Sequence, residues 1–267
     1  MDFPGLFSLE GRVALVTGGS RGIGRMIAQG YLAAGCARVY ITARKAAVVA
    51  ATAAELGERC IALSGDISTM DGIEALAATL AEREEKLDIL VNNAGVAWGA
   101  EFDSFPESGW DRVMDLNVKT PFFLTQKLHK LLAAAASAER PAKVINIASV
   151  DGIRINPWET YPYQASKAAL IQLTRRMAAR LASEQILVTA IAPGMFPSSM
   201  NRAAAVAGEK LGAQVPAGRV GVDEDMAGAA IYLASRAGDY VVGETLVVDG
   251  GWVNSALPDS FVGAGGE

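Results

Sequence analysis

Arg12-Val13-Ala14-Leu15-Val16-Thr17, followed at once by Gly18-Gly19-Ser20-Arg21-Gly22-Ile23-Gly24, is the stretch on which the fold turns. The first six residues form a short apolar run rich in β-branched side chains, as a buried strand requires. Beyond the glycines, Ile23, Ile27, Tyr31 and Leu32 recur with helical spacing. The order is strand, glycine turn, helix. Glycine lets the chain turn tightly and approach a phosphate, and a helix N-terminus offers free N–H groups and partial positive charge. The spacing is G-x3-G-x-G rather than G-x-G-x-x-G. Gly18, Ser20, Arg21, Gly22, Ile23 and Gly24 are therefore the first candidates for holding a dinucleotide.

Working outward, the alternation continues. Strand-like runs fall at 39–43, 60–64, 87–91, 144–148, 186–191 and 245–248. Helical stretches are predicted at 46–57, 70–85, 106–136, 163–183 and 223–234. This predicts an α/β fold: a doubly wound parallel sheet, a single-domain Rossmann architecture spanning 1–267. Ligands of such sheets sit at the carboxyl ends of the strands. The second strand ends in Arg44-Lys45, where an NAD site would place an acidic residue. A guanidinium there binds a 2′-phosphate with two hydrogen bonds, and Arg21 can assist, so NADP(H) is expected; the alternative is a pair of solvated charges. Asp66, with Ile67, follows the third strand and is placed either for the adenine amino group or as a helix cap. Asn92-Asn93-Ala94-Gly95 closes the fourth strand, with Asn92 structural and Asn93, Ala94 and Gly95 a wall of the cofactor site. Trp98, Phe102, Phe105 and Trp110 read as packing. Pro193, Gly194, Phe196 and Ser198 follow the sixth strand and open a predicted mobile lid at about 194–220. The tail, 252–267, carries Trp252, Leu257 and Phe261, which are expected to dock on a second subunit or the pocket rim.

The reactive chemistry is expected at Tyr163-Gln164-Ala165-Ser166-Lys167. Tyr163 and Lys167, four apart, share one helix face, and an ammonium one turn away should pull the phenol pKa down. Such pairs also arise by chance on amphipathic helices. Tyr161 is the rival phenol, but six positions from Lys167 it does not face it. Ser149, after its strand, can hold a substrate oxygen beside the phenol. Trp158 and Tyr161, in a stiff loop with Pro157 and Pro162, are candidates for the substrate wall together with Ser149 and Tyr163. Asn117 inside a predicted helix is unfavourable by propensity, and if buried it needs partners, one of them a water reaching Lys167.

Composition narrows the rest. A net charge of −5 and a pI near 5.1 argue against nucleic acid or an anionic membrane as partner. No apolar run reaches the ~18 residues of a membrane span, and Met1-Asp2-Phe3-Pro4-Gly5 lacks a signal peptide's basic segment. Cys36 and Cys60 fit no metal or redox spacing and are expected as free buried thiols, a disulfide being the lesser alternative; this suggests a reducing, cytoplasmic location. His129 is the single histidine, so no metal site is expected.

Thr17-Gly18-x-x-x-Gly22-x-Gly24, Asn92-Asn93-Ala94-Gly95, Asn117, Ser149, Tyr163-x-x-x-Lys167, Pro193-Gly194, Gly218-Arg219-x-Gly221 and Val248-Asp249-Gly250-Gly251, in this order, resemble the short-chain dehydrogenase/reductase family. Within it the chain is most similar to the 3-oxoacyl (β-ketoacyl) reductases, in particular those linked to rhamnolipid synthesis. The resemblance implies a nicotinamide cofactor, hydride transfer to a ketone or from a secondary alcohol, and a homotetramer, with a dimer as alternative. It implies Asn117, Ser149, Tyr163 and Lys167 as the catalytic set, with Tyr163 and Lys167 also touching the cofactor. Sugar or steroid alcohols are the competing substrates. Carrier-protein reductases are expected to carry basic residues at the site mouth. Arg140 is the candidate here, while the Tyr163 helix ends in Ser183-Glu184, so an acyl carrier protein as partner stays open. A non-catalytic NADP-binding sensor is the alternative of another class. A hydrolase is disfavoured because Ser149 lacks a histidine partner and a G-x-S-x-G setting.

Overall fold

The computed structural model describes residues 3–197 and 208–255. Seven strands form one sheet: β1 (Val13–Val16), β2 (Arg38–Ala43), β3 (Cys60–Ser64), β4 (Ile89–Asn92), β5 (Ala142–Ile147), β6 (Ile186–Pro193) and β7 (Thr245–Val248). Their order is β3-β2-β1-β4-β5-β6-β7, and every pairing is parallel. Parallel neighbours need crossovers, and helices supply them: α1 (Gly22–Ala33), α2 (Ala46–Leu56), α3 (Met70–Ala81), α4 (Glu107–Met114), α5 (Thr120–Lys127), α6 (His129–Ala135), α7 (Tyr161–Leu181) and α8 (Asp223–Ala234). The chain reverses its direction of strand addition between β1 and β4, the switch point where a crevice opens above the carboxyl ends.

Covered on both faces, the central strands are buried along their length, every residue of β4, β5 and β6 included. Val16, Ile27, Tyr31, Ile41 and Val91 pack on one face of the sheet, with α1 and α8. Leu15, Leu80, Leu90, Leu124 and Val144 fill the other, under α3, α5 and α7. Each such side chain contributes about 1.5–3 kcal/mol by leaving water. Cys36 and Cys60 are free and buried in the first cluster.

The predicted helix at 106–136 is broken. After α4, residues Asp115–Lys119 form a π-helical turn, α5 follows, and Leu128 separates it from α6. Asn117 sits inside that turn and is 1% exposed, so it belongs to the interior. Of the predicted lid, residues 198–207 lie outside the described residues, Ser198 among them, as do Leu257 and Phe261 of the tail. The described end of the lid holds a short helix, Gly208–Gly212, and seats Val215 in the core. Among the described residues, no helix is long and apolar enough to cross a membrane.

Candidate active site at the carboxyl edge of the sheet

The glycine loop leaves β1 in a conformation few other residues adopt: φ is +65° at Gly18 and +52° at Gly22. Gly24 is required by space rather than angle, since a Cβ there would lie 2.4 Å from Asn93 Nδ2 and 2.5 Å from the Gly18 carbonyl. The loop is tied down from β4. Asn93 Nδ2 donates to the Thr17 and Gly18 carbonyls, and Thr17 Oγ1 accepts from the Asn93 and Ala94 amides. Asn93 thus spends its amide on holding the cradle, and Thr17, overlooked as an anchor, does as much. Asn92 is structural as expected, and its Nδ2 donates to Asn146 Oδ1 and Thr125 Oγ1. Asn146 in turn donates to Thr174 of α7, a buried polar chain linking β4, β5 and α7.

Around this cradle, Arg21 and Arg44 are exposed. Asp66 does not cap α3; Thr69 does, accepting from the Gly72 amide. Asp66 instead accepts from the Ser68 amide and hydroxyl through one oxygen, and these bonds hold its pKa below the ordinary carboxylate value. The Ile67 side chain belongs to the core, and its carbonyl accepts from Thr120. Gly194 passes so close to β7 that a Cβ would meet Asp249 at 2.6 Å. Phe196 turns its ring inward against Gly221 and is 3% exposed, which leaves only its backbone for a ligand.

Ser149 closes β5, buried, its hydroxyl capping the turn Val150–Gly152 by accepting from the Asp151 amide. Tyr163, on the first turns of α7, lies close enough to Ser149 for that hydroxyl to favour its phenolate. Lys167 is 5% exposed, donates to the Ile147 carbonyl at 2.7 Å, and holds its ammonium 5.6 Å from the centre of the Tyr163 ring. The three side chains converge because β5 ends where α7 begins its run across the sheet. Gly152 is pressed on α7, where a Cβ would lie 2.6 Å from the Lys167 carbonyl carbon.

Electrostatics here correct one expectation. Burial pushes the Tyr163 phenol up to about 12, with the Ser149 hydrogen bond opposing, rather than down under the pull of Lys167. Lys167 itself is driven down to about 8 by burial, against the attraction of Asp151. For Tyr163 the Asp151 charge adds to the effect of burial, and for Lys167 desolvation outweighs the attraction of Asp151.

Asn117 is brought to this cluster, and its side chain makes three hydrogen bonds there. Oδ1 accepts from the Val96 amide, and Nδ2 donates to the Val96 carbonyl and Ser166 Oγ. It therefore pins the loop after β4 to α7, with both amide hydrogens engaged and one lone pair of Oδ1 still open. Gly95 lies in the same corner, where a Cβ would approach Asn117 Oδ1 at 3.2 Å and Lys167 Nζ at 3.7 Å.

The aromatic assignments shift. Tyr161 lines an apolar groove of about 480 Å³ with Phe102, Phe105, Pro106 and Trp110. Phe102 and Trp110 are 71% and 43% exposed, so these two are surface rather than packing residues. Trp98 does pack, over Gly109. Trp158 is 64% exposed and does not line the groove. Arg140 is not at the mouth at all. It precedes β5 at the amino edge of the sheet, against Asp88 and the Glu10 carbonyl. Glu184, before β6, lies at that edge too, paired with His129 and Arg180.

A doubly wound parallel sheet with a glycine cradle at its switch point and a Ser, Tyr, Lys cluster beside it defines a dinucleotide-binding oxidoreductase. The family model described as Enoyl-(Acyl carrier protein) reductase matches residues 18–253. A rhamnolipids biosynthesis 3-oxoacyl-[acyl-carrier-protein] reductase of Pseudomonas aeruginosa is 52% identical over 251 residues, covering 92% of this chain and 98% of its own. A 2-dehydro-3-deoxy-D-gluconate 5-dehydrogenase of Escherichia coli is 40% identical over 255 residues, covering 92% and 97%. Among solved structures, the RhlG/NADP active-site complex of Pseudomonas aeruginosa superposes with a TM-score of 0.89 at 51% identity, over 93% of this chain and 99% of that one. A gluconate 5-dehydrogenase of Burkholderia cenocepacia in complex with NADP and tartrate gives 0.85 at 35%, over 95% and 99%. The chain belongs to the short-chain dehydrogenase/reductase family.

Proposed function

We propose that this protein is an NADP(H)-dependent oxidoreductase acting on a ketone or secondary alcohol, with 3-oxoacyl thioesters as its substrate class. The observation that carries the reading is the meeting of Ser149, Tyr163 and Lys167 beside the glycine cradle. The residues fit the cofactor. Gly18 and Gly22 take the positive φ that turns the chain tightly and Gly24 packs on Gly18, Arg44 and Arg21 offer guanidinium groups to a 2′-phosphate, and Asp66 keeps an oxygen for the adenine amino group. Asn93, Ala94, Gly95, Pro193 and Gly194 would wall the nicotinamide end.

The nicotinamide supplies or accepts the hydride. The chain's own part is protonic. Tyr163, protonated well past neutral pH, gives its proton to the carbonyl oxygen as negative charge grows there. Ser149 donates a hydrogen bond to the same oxygen and stabilises that charge. Lys167, charged below about 8, holds a positive field one turn from the phenolate that results. Asn117 is a positioning residue, fixing the wall of the site to α7. Tyr161 and the groove of Phe102 and Phe105 suit an apolar chain extending from the carbonyl.

A sugar-acid dehydrogenase is the second reading, supported by the gluconate dehydrogenases among the relatives. A homotetramer and a cytoplasmic location remain part of the proposal. The exposed ring of Phe122, outside that groove, supports burial against a second copy. The test is NADPH oxidation against 3-oxoacyl thioesters, cyclic ketones and oxidised sugars. Turnover highest on the thioesters is expected. Preference for the sugars would replace the first reading with the second, and NADPH binding without any turnover would leave a sensor.

A further inference from the structure

Thr52 lies in the middle of α2, 5% exposed, and its hydroxyl takes no part in the chemistry of the site. That hydroxyl donates to two carbonyls: Val48, one turn back on its own helix, at 3.0 Å, and Ser20 of the glycine loop at 3.1 Å. The first bond is one a threonine inside a helix commonly makes. The second crosses to another element, the cradle itself, which is then held from three sides. β4 grips it through Asn93 and Thr17. β2 grips it at Gly19, whose amide donates to the Thr42 carbonyl at 3.2 Å and where a Cβ would lie 2.6 Å from Ile41 Cγ2. α2 grips it at Ser20, through Thr52.

The third grip joins the two arginines of the site. Arg21 follows Ser20, extended and exposed at the start of α1. Arg44 follows β2, exposed, and its neighbour Lys45 accepts at its carbonyl from the Val48 and Val49 amides as α2 begins. Val48 is thus tied to the Arg44 turn through its amide and to Thr52 through its carbonyl. Arg25 and Glu55 close the same seam between α1 and α2 at 2.9 Å, but their side chains are 42% and 57% exposed, and so wet an ion pair is a weak brace. The Thr52 bond is sealed from water.

We propose that Thr52 is a positioning residue for cofactor choice: its hydroxyl holds Ser20 and Arg21 in register with the turn at Arg44, and so fixes the span across which two guanidinium groups grip a 2′-phosphate. The inference rests on the 2′-phosphate reading of Arg21 and Arg44 and deepens it. Guanidinium–phosphate bonds are directional, so their strength depends on how firmly the backbone behind them is held. NADH has no phosphate at that position, so loss of the Thr52 bond falls mainly on NADPH.

Dissociation constants of NADPH and NADH are measured by fluorescence titration for the wild type, Thr52→Val, Thr52→Ala and Thr52→Ser, with thermal unfolding of each as the control for folding. Valine keeps the shape and removes the hydroxyl; serine keeps the hydroxyl. Expected is a wild-type preference for NADPH that falls about five- to tenfold in Thr52→Val and Thr52→Ala, through weaker NADPH binding, and that stays within about twofold of wild type in Thr52→Ser. A merely structural role would lower Tm, or weaken both cofactors equally, and leave the ratio in place. A ratio unchanged within about twofold in the variants without the hydroxyl overturns the inference, as does an equal fall in Thr52→Ser. Thr52→Ala decides where Thr52→Val fails to fold. A wild type that binds NADH as tightly as NADPH discards the 2′-phosphate site and Thr52's role with it. Where Arg44→Asp abolishes the preference and the loss of the Thr52 hydroxyl leaves it intact, the site stands and Thr52 alone is overturned.

Discussion

The two edges of one parallel sheet carry polar residues to opposite ends. At the amino edge, Arg12 donates to the Pro141 carbonyl, Asp88 accepts from the Val13 amide and faces Arg140, and Lys143 meets Asp239 at 2.7 Å. Lys143 is 1% exposed, and burial lowers its pKa. Each of these charges is answered by another charge or by backbone, so the cluster is spent on the fold. At the carboxyl edge, Ser149 and Lys167 are also buried and Tyr163 half-buried; the Asp151 amide and the Ile147 carbonyl engage the first two, but no ion pair among the described residues answers the ammonium, and burial holds it near 8. Groups so placed are poised for a third party. Burial of polar groups is common to both edges; the difference lies in whether an opposite charge is supplied from within.

The sharpest break of that comparison is Lys143→Ala. It removes one member of a buried pair and leaves Asp239 facing a cavity. A stability loss of about 3 kcal/mol is expected in urea denaturation, with kcat/KM of the folded protein within twofold of wild type. A catalytic defect without loss of stability would merge the two edges into one function. At the other edge, Arg44→Asp should weaken NADPH binding by about ten- to a hundredfold, and NADH binding far less, because only the former carries the 2′-phosphate. Equal weakening of the two would remove Arg44 from the cofactor site.

A smaller effect separates the two lysines by pH. Lys167 loses its charge as pH rises through about 8, so log kcat/KM for reduction should bend downward there, and Lys167→Arg should move the bend to higher pH. Stability runs the other way. The folded pKa lies below the unfolded one, so the unfolded chain binds more protons between about 8 and the ordinary lysine value near ~10.4, and stability rises with pH across that window. A flat rate profile from pH 7 to 9 would mean that Lys167 charge is irrelevant to turnover.

The features that were legible share a short reach along the chain. The strand, glycine turn and helix at 12–24 are written in neighbouring residues, and so is the Tyr163–Lys167 spacing, which the period of a helix converts directly into proximity. What escaped depends on contacts distant in sequence. The π-helical turn around Asn117 follows from hydrogen bonds to Val96 and Ser166, 21 and 49 residues away. Thr17 becomes an anchor only because β4 lies beside β1. Arg140 reads as a free cation until the topology assigns it to the amino edge, beside Asp88. The pull of Lys167 on Tyr163 was overestimated because spacing reports a neighbour but not the depth at which both are buried. Phe102 rather than Trp158 lines the groove for a similar reason: local sequence marks aromatic residues but not the side of a loop they face.

Proton transfer from one phenol is the centre of this account, and Tyr163→Phe measures it most directly. The variant keeps the ring and removes one oxygen. NADPH titrated against it by fluorescence should bind within about threefold of wild type, while the rate of ketone reduction at saturating cofactor falls roughly a thousandfold. A variant that binds NADPH and still reduces the ketone within tenfold of wild type would contradict the account.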